Sequence, residues 1–367
     1  MIGMRSGPDR ACHERAYAPG CLLLQWHITE RCNLRCAHCY QESYAGDELG
    51  YPDLLEVLRQ FKELLSLWRG GRRGKPVRGH VTVTGGEPFV RRDFLDLLGV
   101  LNANKEFFTF AILTNGGLID ATLARRLRAL GPAFVQVSIE GKSATHDRIR
   151  GEGELERTVS AVRHLVRADV RTFISFTAHR SNFREFADVA RLGRKLQVRR
   201  VWADRFIPLG AGSAMSDHVL SPEETREFFE VMRNAGAEAK RRWFNRTEVA
   251  AHRALQFLVN DGKPYFCSAG DSLITVQPNG DLFPCRRMPI WVGNLMDTPL
   301  VDLYHGSDLF RALRDRDRVS VGCQDCFYAR VCRGGLKCLS YAMTGDPFNA
   351  DPGCWHASKA SPGVEGN

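Results

Sequence analysis

Three cysteines crowd one short stretch, TERCNLRCAHCY, where Cys32, Cys36 and Cys39 follow a C-x3-C-x2-C pattern. Thiolates at this spacing on one loop can hold three corners of a cubane [4Fe–4S] cluster. The fourth iron then has no protein ligand, and an open metal position is where chemistry on a bound molecule takes place. A zinc loop is the other reading, with His38 as its fourth ligand. A second cysteine field lies toward the C-terminus: Cys267-x12-Gly280-x4-Cys285, then Cys323-x2-Cys326-x5-Cys332-x5-Cys338, then Cys354. Two zinc knots would take eight thiolates, and this field supplies seven. Cys12 and Cys21 are left over. Cys21, just before the first strand, can complete a cluster, donate a hydrogen atom, or be an inert thiol.

The elements that must position these thiols are legible as alternating periods. Short β-branched or aromatic runs predict strands over 22–29, 80–84, 108–114, 134–140, 172–177 and 198–207. Between them, Leu54, Leu58, Phe61, Leu65 and Trp68 recur at helical spacing within 52–68. Asp120 and Asn182 stand where helix caps are expected. Pro222 opens a helix through about Arg233, and a second basic helical run covers roughly 237–260. Strand–helix alternation implies a parallel sheet with right-handed crossovers. Six units are too few for an eight-fold barrel, which leaves a partial barrel or a doubly wound sheet. In either, chemistry belongs at the C-terminal ends of the strands. The first cysteine loop follows the first strand and TGGEPF (84–89) follows the second.

Composition narrows the class. The chain has 367 residues, 44% hydrophobic and 25% charged, as in ordinary globular proteins. No apolar run approaches the ~18 residues of a membrane span, and the N-terminal stretch lacks the apolar core of a secretory signal. These features predict a cytoplasmic protein in a reducing compartment, where twelve cysteines serve metal or redox chemistry rather than disulfides. The net charge of +9 is diffuse, with no concentrated basic stripe, so no nucleic-acid partner is expected.

With the cysteine loop and TGGEPF one βα unit apart, the sequence resembles the radical SAM superfamily. LTNGG (113–117), QVSIEG (136–141), HDRIRG (146–151) and RFIPLGAG (205–212) resemble that family's later strand ends. Glu140 departs from the Asp usual there. The C-terminal field resembles the SPASM extension, except that five residues rather than three separate Cys332 from Cys338. The resemblance implies an α/β fold: a partial (β/α)6 radical SAM barrel followed by a small cysteine-rich SPASM domain. The expected boundaries are an arm at 1–21, the barrel at 22–212, a helical bridge at 213–262 and the SPASM-like part at 263–367.

The resemblance also implies three [4Fe–4S] clusters. Cys32, Cys36 and Cys39 would hold the one that binds S-adenosylmethionine (SAM). Cys323, Cys326, Cys332 and Cys354 would hold a fully ligated auxiliary cluster, and Cys267, Cys285 and Cys338 another with an open iron or a borrowed fourth ligand. SAM contacts would fall to Tyr40, Gly85, Gly86, Glu87, Asn115, Ser138, Ser175 and Gly210. The two glycines would let backbone approach a ligand, and Glu87 would set negative charge near an ammonium. The implied reaction is one-electron reductive cleavage of SAM to a 5′-deoxyadenosyl radical that takes a hydrogen atom from a substrate C–H. A peptide or protein substrate is the leading expectation, with a reductant such as flavodoxin or ferredoxin. A tetrapyrrole of the haem pathway is the alternative, and a non-catalytic electron carrier a third.

Overall fold

The computed structural model describes residues 17–68, 77–241, 245–250, 253–260 and 264–357, so Cys12 lies outside the described residues. Six strands come first: β1 (Cys21–His27), β2 (Arg78–Thr84), β3 (Phe108–Thr114), β4 (Val135–Ser138), β5 (Thr172–Ala178) and β6 (Arg200–Arg205). The helices between them are α1 (Tyr51–Leu67), α2 (Phe94–Ala103), α3 (Ala121–Leu130), α4 (Ser143–Arg150), α5 (Glu154–Arg167) and α6 (Phe186–Lys195). Then follow α7 (Pro222–Lys240), β7 (Glu248–Ala250), β8 (Leu273–Val276), β9 (Asp281–Phe283) and β10 (Gly293–Asn294). All ten strands join one sheet in the order β10-β9-β8-β1-β2-β3-β4-β5-β6-β7.

That order decides between the two architectures left open by the alternation. A doubly wound sheet reverses at a switch point. Here β1 to β6 pair in strict sequence and in parallel, the winding of a barrel that stops short of closure. Alternation along β1 shows the two faces. Leu22, Leu24 and Trp26 are fully buried in the core shared with the helices. Leu23, Gln25 and His27 take the opposite, concave face, in register with His80, Thr82 and Thr84 of β2. The same register carries Gln136 and Ser138, Ser175, and Trp202 onto that face, and the Trp202 indole donates to Gln136 Oε1 (2.9 Å). Near the strands' N-terminal ends, Phe134 stacks on Phe173 (4.3 Å) and His80 on Phe134 (5.8 Å).

Local signals explain the helices. The α1 face Leu54, Leu58, Phe61 and Leu65 is buried, as its spacing predicts. The Asp120 carboxylate accepts from the Leu123 N–H (2.7 Å) and caps α3. Ser221 and Glu224 form a reciprocal capping box ahead of α7. Two expectations are corrected. Asn182 stands at the N-cap of a short 3-10 turn (Phe183–Glu185), but its side chain makes no capping bond: its amide donates to the carbonyls of Glu140 and Thr177, and its oxygen accepts from the His179 N–H. The bridge is not two helices of the expected lengths. α7 runs on to Lys240, and β7 then adds a parallel strand to β6.

The cysteine-rich segment is built into the same sheet. β8 pairs in parallel with β1, and β9 and β10 follow antiparallel. A buried ion pair ties its far end to the barrel: Arg205, at the end of β6, grips Asp351 through both guanidinium nitrogens (2.8 and 2.5 Å). Asp351 also accepts from the Leu336 and Gly353 N–H groups. Among the described residues, no helix is long and apolar enough to cross a membrane. Breaking a buried pair costs about 3–5 kcal/mol because a charge is stranded. Asp351→Asn is therefore expected to lower the thermal unfolding midpoint by several degrees, whereas Arg226→Gln, at an exposed surface pair, shifts it by roughly a degree or less. Equal midpoints for the two variants would contradict this account.

Candidate active site and cluster thiols

Because β1 to β6 run parallel, the segments after their C-terminal ends share one edge. The loop carrying Cys32, Cys36 and Cys39 is clamped there from several sides. After β2, the Gly86 N–H donates to the Thr29 carbonyl (2.8 Å) and the Glu87 N–H to that of Arg31 (2.9 Å). After β6, the Gly212 N–H donates to the Cys39 carbonyl (2.8 Å) and the Ala211 N–H to that of Gln41 (3.1 Å). Arg91 reaches the carbonyls of Ile28 and Leu49 (both 2.8 Å), bracketing the segment. The Ala37 N–H donates to the Ile149 carbonyl at the end of α4 (2.9 Å).

These contacts revise the role of the glycines. Gly85 has φ +150°, and a Cβ there would strike the Thr29 backbone; one on Gly86 would strike the carbonyls of Glu30 and Arg31. Gly210 has φ +57° and lies equally close to the backbone of Tyr40 and Gln41. All three admit close approach between protein segments, not first of all to a ligand. Glu87 is likewise turned inward. It is fully buried and accepts from the Thr114 hydroxyl (2.9 Å) and the Asn115 N–H (2.8 Å), joining the ends of β2 and β3. Burial pushes its carboxyl up to about 7 against those hydrogen bonds. It holds the two strand ends together. Asn115 Nδ2 donates to Asn33 Oδ1 (2.8 Å) and comes within 3.9 Å of Cys32 Sγ. Ser138 and Ser175 meet each other, Oγ to Oγ at 3.3 Å. The Tyr40 ring lies edge-on to His27 (6.1 Å) with the Arg286 guanidinium 5.1 Å from its centre.

At the centre of this edge stands Glu140, 1% exposed. One oxygen takes Arg150 Nη2 (2.6 Å) and His38 Nε2 (3.3 Å); the other accepts from the Thr177 N–H of β5 (2.7 Å). Arg150 Nη1 lies 3.8 Å from Cys36 Sγ. Burial alone would raise the Glu140 carboxyl, but Arg150 and His38 overcome it and hold the group well below the usual carboxylate range.

All eleven described cysteines are free thiols. They fall into three neighbourhoods within which the thiols act on one another. Cys32, Cys36 and Cys39 form the first. Cys323, Cys326, Cys332 and Cys354 form the second. Cys267, Cys285 and Cys338 form the third, so the longer spacing before Cys338 leaves it with its expected companions. Cys21 is exposed, and burial raises its thiol with no contribution from another cysteine.

Among the described residues no three His, Cys, Asp or Glu side chains converge as one metal ion requires. Four sulfurs around zinc sit about 3.8 Å apart, given bonds near 2.3 Å, whereas a cubane keeps its ligands farther apart. The second set lines a small cavity together with Leu255, Phe257 and Tyr328. Burial pushes Cys36 and Cys323 up to about 11 and Cys332 up to about 12. Such thiols stay protonated until a metal displaces the proton.

Residues 26–193 match the radical SAM superfamily, and residues 267–327 match SPASM, an iron–sulfur cluster-binding domain. The chain belongs to the radical SAM superfamily. More narrowly, it is a SPASM-type member, a partial barrel with the iron–sulfur extension behind it. It is 28% identical over 346 residues to the AdoMet-dependent heme synthase of Methanosarcina barkeri, covering 90% of this chain and 95% of that protein. It is 28% identical over 353 residues to the mycofactocin maturase MftC of Mycolicibacterium smegmatis, covering 92% and 83%. The structure of Streptococcus suis SuiB bound to S-adenosylmethionine shares the fold, with TM-score 0.70 and 16% identity over 91% of this chain and 77% of that one.

Sequence reasoning missed the reach of Glu140, His38, Arg91 and Arg286. Glu140 carried a signal as an acid inside a strand-end motif and His38 as a candidate metal ligand, but neither signal pointed to their pairing. Replacing Glu140 by Gln strands Arg150 and is expected to cost about 3–5 kcal/mol. Glu140→Asp keeps the charge and loses less. Because the folded carboxyl is depressed, the deficit is full above the unfolded value of about 4.3 and closes only as pH falls through the depressed one. Chemical denaturation of the three proteins between pH 4 and 8 checks this; a Gln variant as stable as wild type at pH 7 would refute it.

Proposed function

We propose that Cys32, Cys36 and Cys39 hold the SAM-binding [4Fe–4S] cluster, and that the sets of four and three thiols hold two auxiliary clusters. The observation that carries this reading is a triad, not a tetrad, of thiols clamped at the strand edge of a parallel barrel. When bound together, the first cluster and SAM supply one-electron cleavage of a sulfonium and hydrogen-atom abstraction from a C–H. The protein's own work is placement. Arg150 sets positive charge beside Cys36, Asn115 stands beside Cys32, and the polar concave face with Ser138 and Ser175 receives SAM and substrate. Tyr40, Gly85, Gly86 and Gly210 fix the loop backbone, and Glu87 joins the strand ends on which it rests. A small electron carrier such as flavodoxin or ferredoxin supplies the electron.

For the substrate we place a tetrapyrrole of the haem type first. The heme synthase of M. barkeri is matched over 95% of its length. A ribosomal peptide is the second reading, supported by the likeness to MftC. Anaerobically reconstituted protein given SAM and dithionite is expected to form 5′-deoxyadenosine, and Cys36→Ala to reduce it to background. Iron should approach about twelve per chain, with about four lost in Cys323→Ala. No 5′-deoxyadenosine from wild type, or an undiminished yield from Cys36→Ala, would sink the enzymatic reading. A protein holding only zinc would sink the cluster assignment.

A further inference from the structure

We infer that Arg286 is the recognition element for a carboxylate of the substrate, with the buried ring of His27 beside it. This rests on the proposed function, since it needs a substrate on the concave face.

Three features single out Arg286. The guanidinium groups around it are engaged: Arg287 with Asp204 (2.8 Å), Arg205 with Asp351, Arg150 with Glu140, and Arg253 over the Trp202 ring (4.2 Å). Arg286 has no acidic partner among the described residues and rests only over the Tyr40 ring. It is half-buried and unmatched by a carboxylate among the described residues, which leaves its fork of donors open to a bound carboxylate. Beside the same ring, His27 is 2% exposed and its Nε2 has no hydrogen-bond partner. A planar guanidinium takes a carboxylate through two parallel hydrogen bonds, and a ring nitrogen can add a third.

The position gives the contact its use. Arg286 follows Cys285 of the third thiol set, while Tyr40 follows Cys39 of the first. A carboxylate gripped there anchors the substrate between the two sets, with the rest of the molecule free to lie along the concave face. Either a tetrapyrrole propionate or a peptide carboxylate can supply the group.

The test measures binding to the reconstituted protein in two arms. One compares coproporphyrin III with its tetramethyl ester. The other compares a glutamate-containing pentapeptide ending in a free acid with its glutamine, C-amidated counterpart. Wild type is expected to prefer the acid in one arm, and that arm identifies the source. Arg286→Gln should weaken acid binding roughly ten- to hundredfold and erase the preference, while Arg286→Lys keeps part of it. Arg128→Gln, at an exposed pair with Asp169, should leave the preference unchanged. Wild type without an acid preference in both arms, or a preference that survives in both Arg286 variants, overturns the inference. Formation of 5′-deoxyadenosine reports on the enzymatic reading separately, so a protein that cleaves SAM without an acid preference refutes the inference alone.

Discussion

The catalytic edge depends on one buried carboxylate. Glu140 has only two oxygens, yet they connect four segments: its own strand end, α4 through Arg150, the cysteine loop through His38, and β5 through the Thr177 N–H. A charge so deeply buried persists only when it is paired and hydrogen-bonded. Here the pairing is shared. The same guanidinium that neutralises Glu140 also faces the Cys36 thiol. The loop, the helix and the strand must therefore be in place together, or a buried charge is left uncompensated. That couples formation of the first cysteine site to completion of the β4–β5 end of the barrel.

How much of this could be read from the sequence follows from the range of each interaction. The strands were legible because alternation is local, and the register then placed Ser138 opposite Ser175. The α3 cap at Asp120 was legible because its bond spans three residues. Asn182 has the residue type of a cap, but its amide serves carbonyls on β5 and after β4, which sequence spacing does not reveal. The glycines of TGGEPF announce a close approach without saying to what. The answer is the backbone at residues 29–31, reached only once β1 and β2 lie side by side. The extra strand β7 was hidden for the same reason. A three-residue strand exists only through its partner, and the basic composition around it suggested a helix.

The cysteine-rich segment looked like a separate unit because its texture changes at Cys267. Its first strands instead extend the barrel sheet beyond β1, and its last cysteines are tied to β6 by Arg205 and Asp351. The sheet thus grows at both edges, by β7 and by β8–β10, and its concave face becomes a wider trough. Residues that arrive late in the chain, Arg253, Arg286 and Arg287, lie against residues of that trough or of the first cysteine loop. The C-terminal segment therefore supplies wall as well as thiols.

The electrostatics of the thiols explain why wall and thiols come together. Burial raises Cys36, Cys323 and Cys332 far above neutral pH, even though Arg150 stands beside the first and Lys337 near the second. Protonated, these thiols add no charge to their surroundings. Loading exchanges protons for metal, and the thiolate charge that develops must be met from nearby. Arg150 is placed for the first set and Arg287 for the third, each already held by a carboxylate, Glu140 or Asp204. Such a cation can share its hydrogen bonds between carboxylate and thiolate without moving, so clusters held as proposed would meet a prearranged network. Arg286, next in sequence to Cys285, has no carboxylate partner among the described residues and rests over the Tyr40 ring.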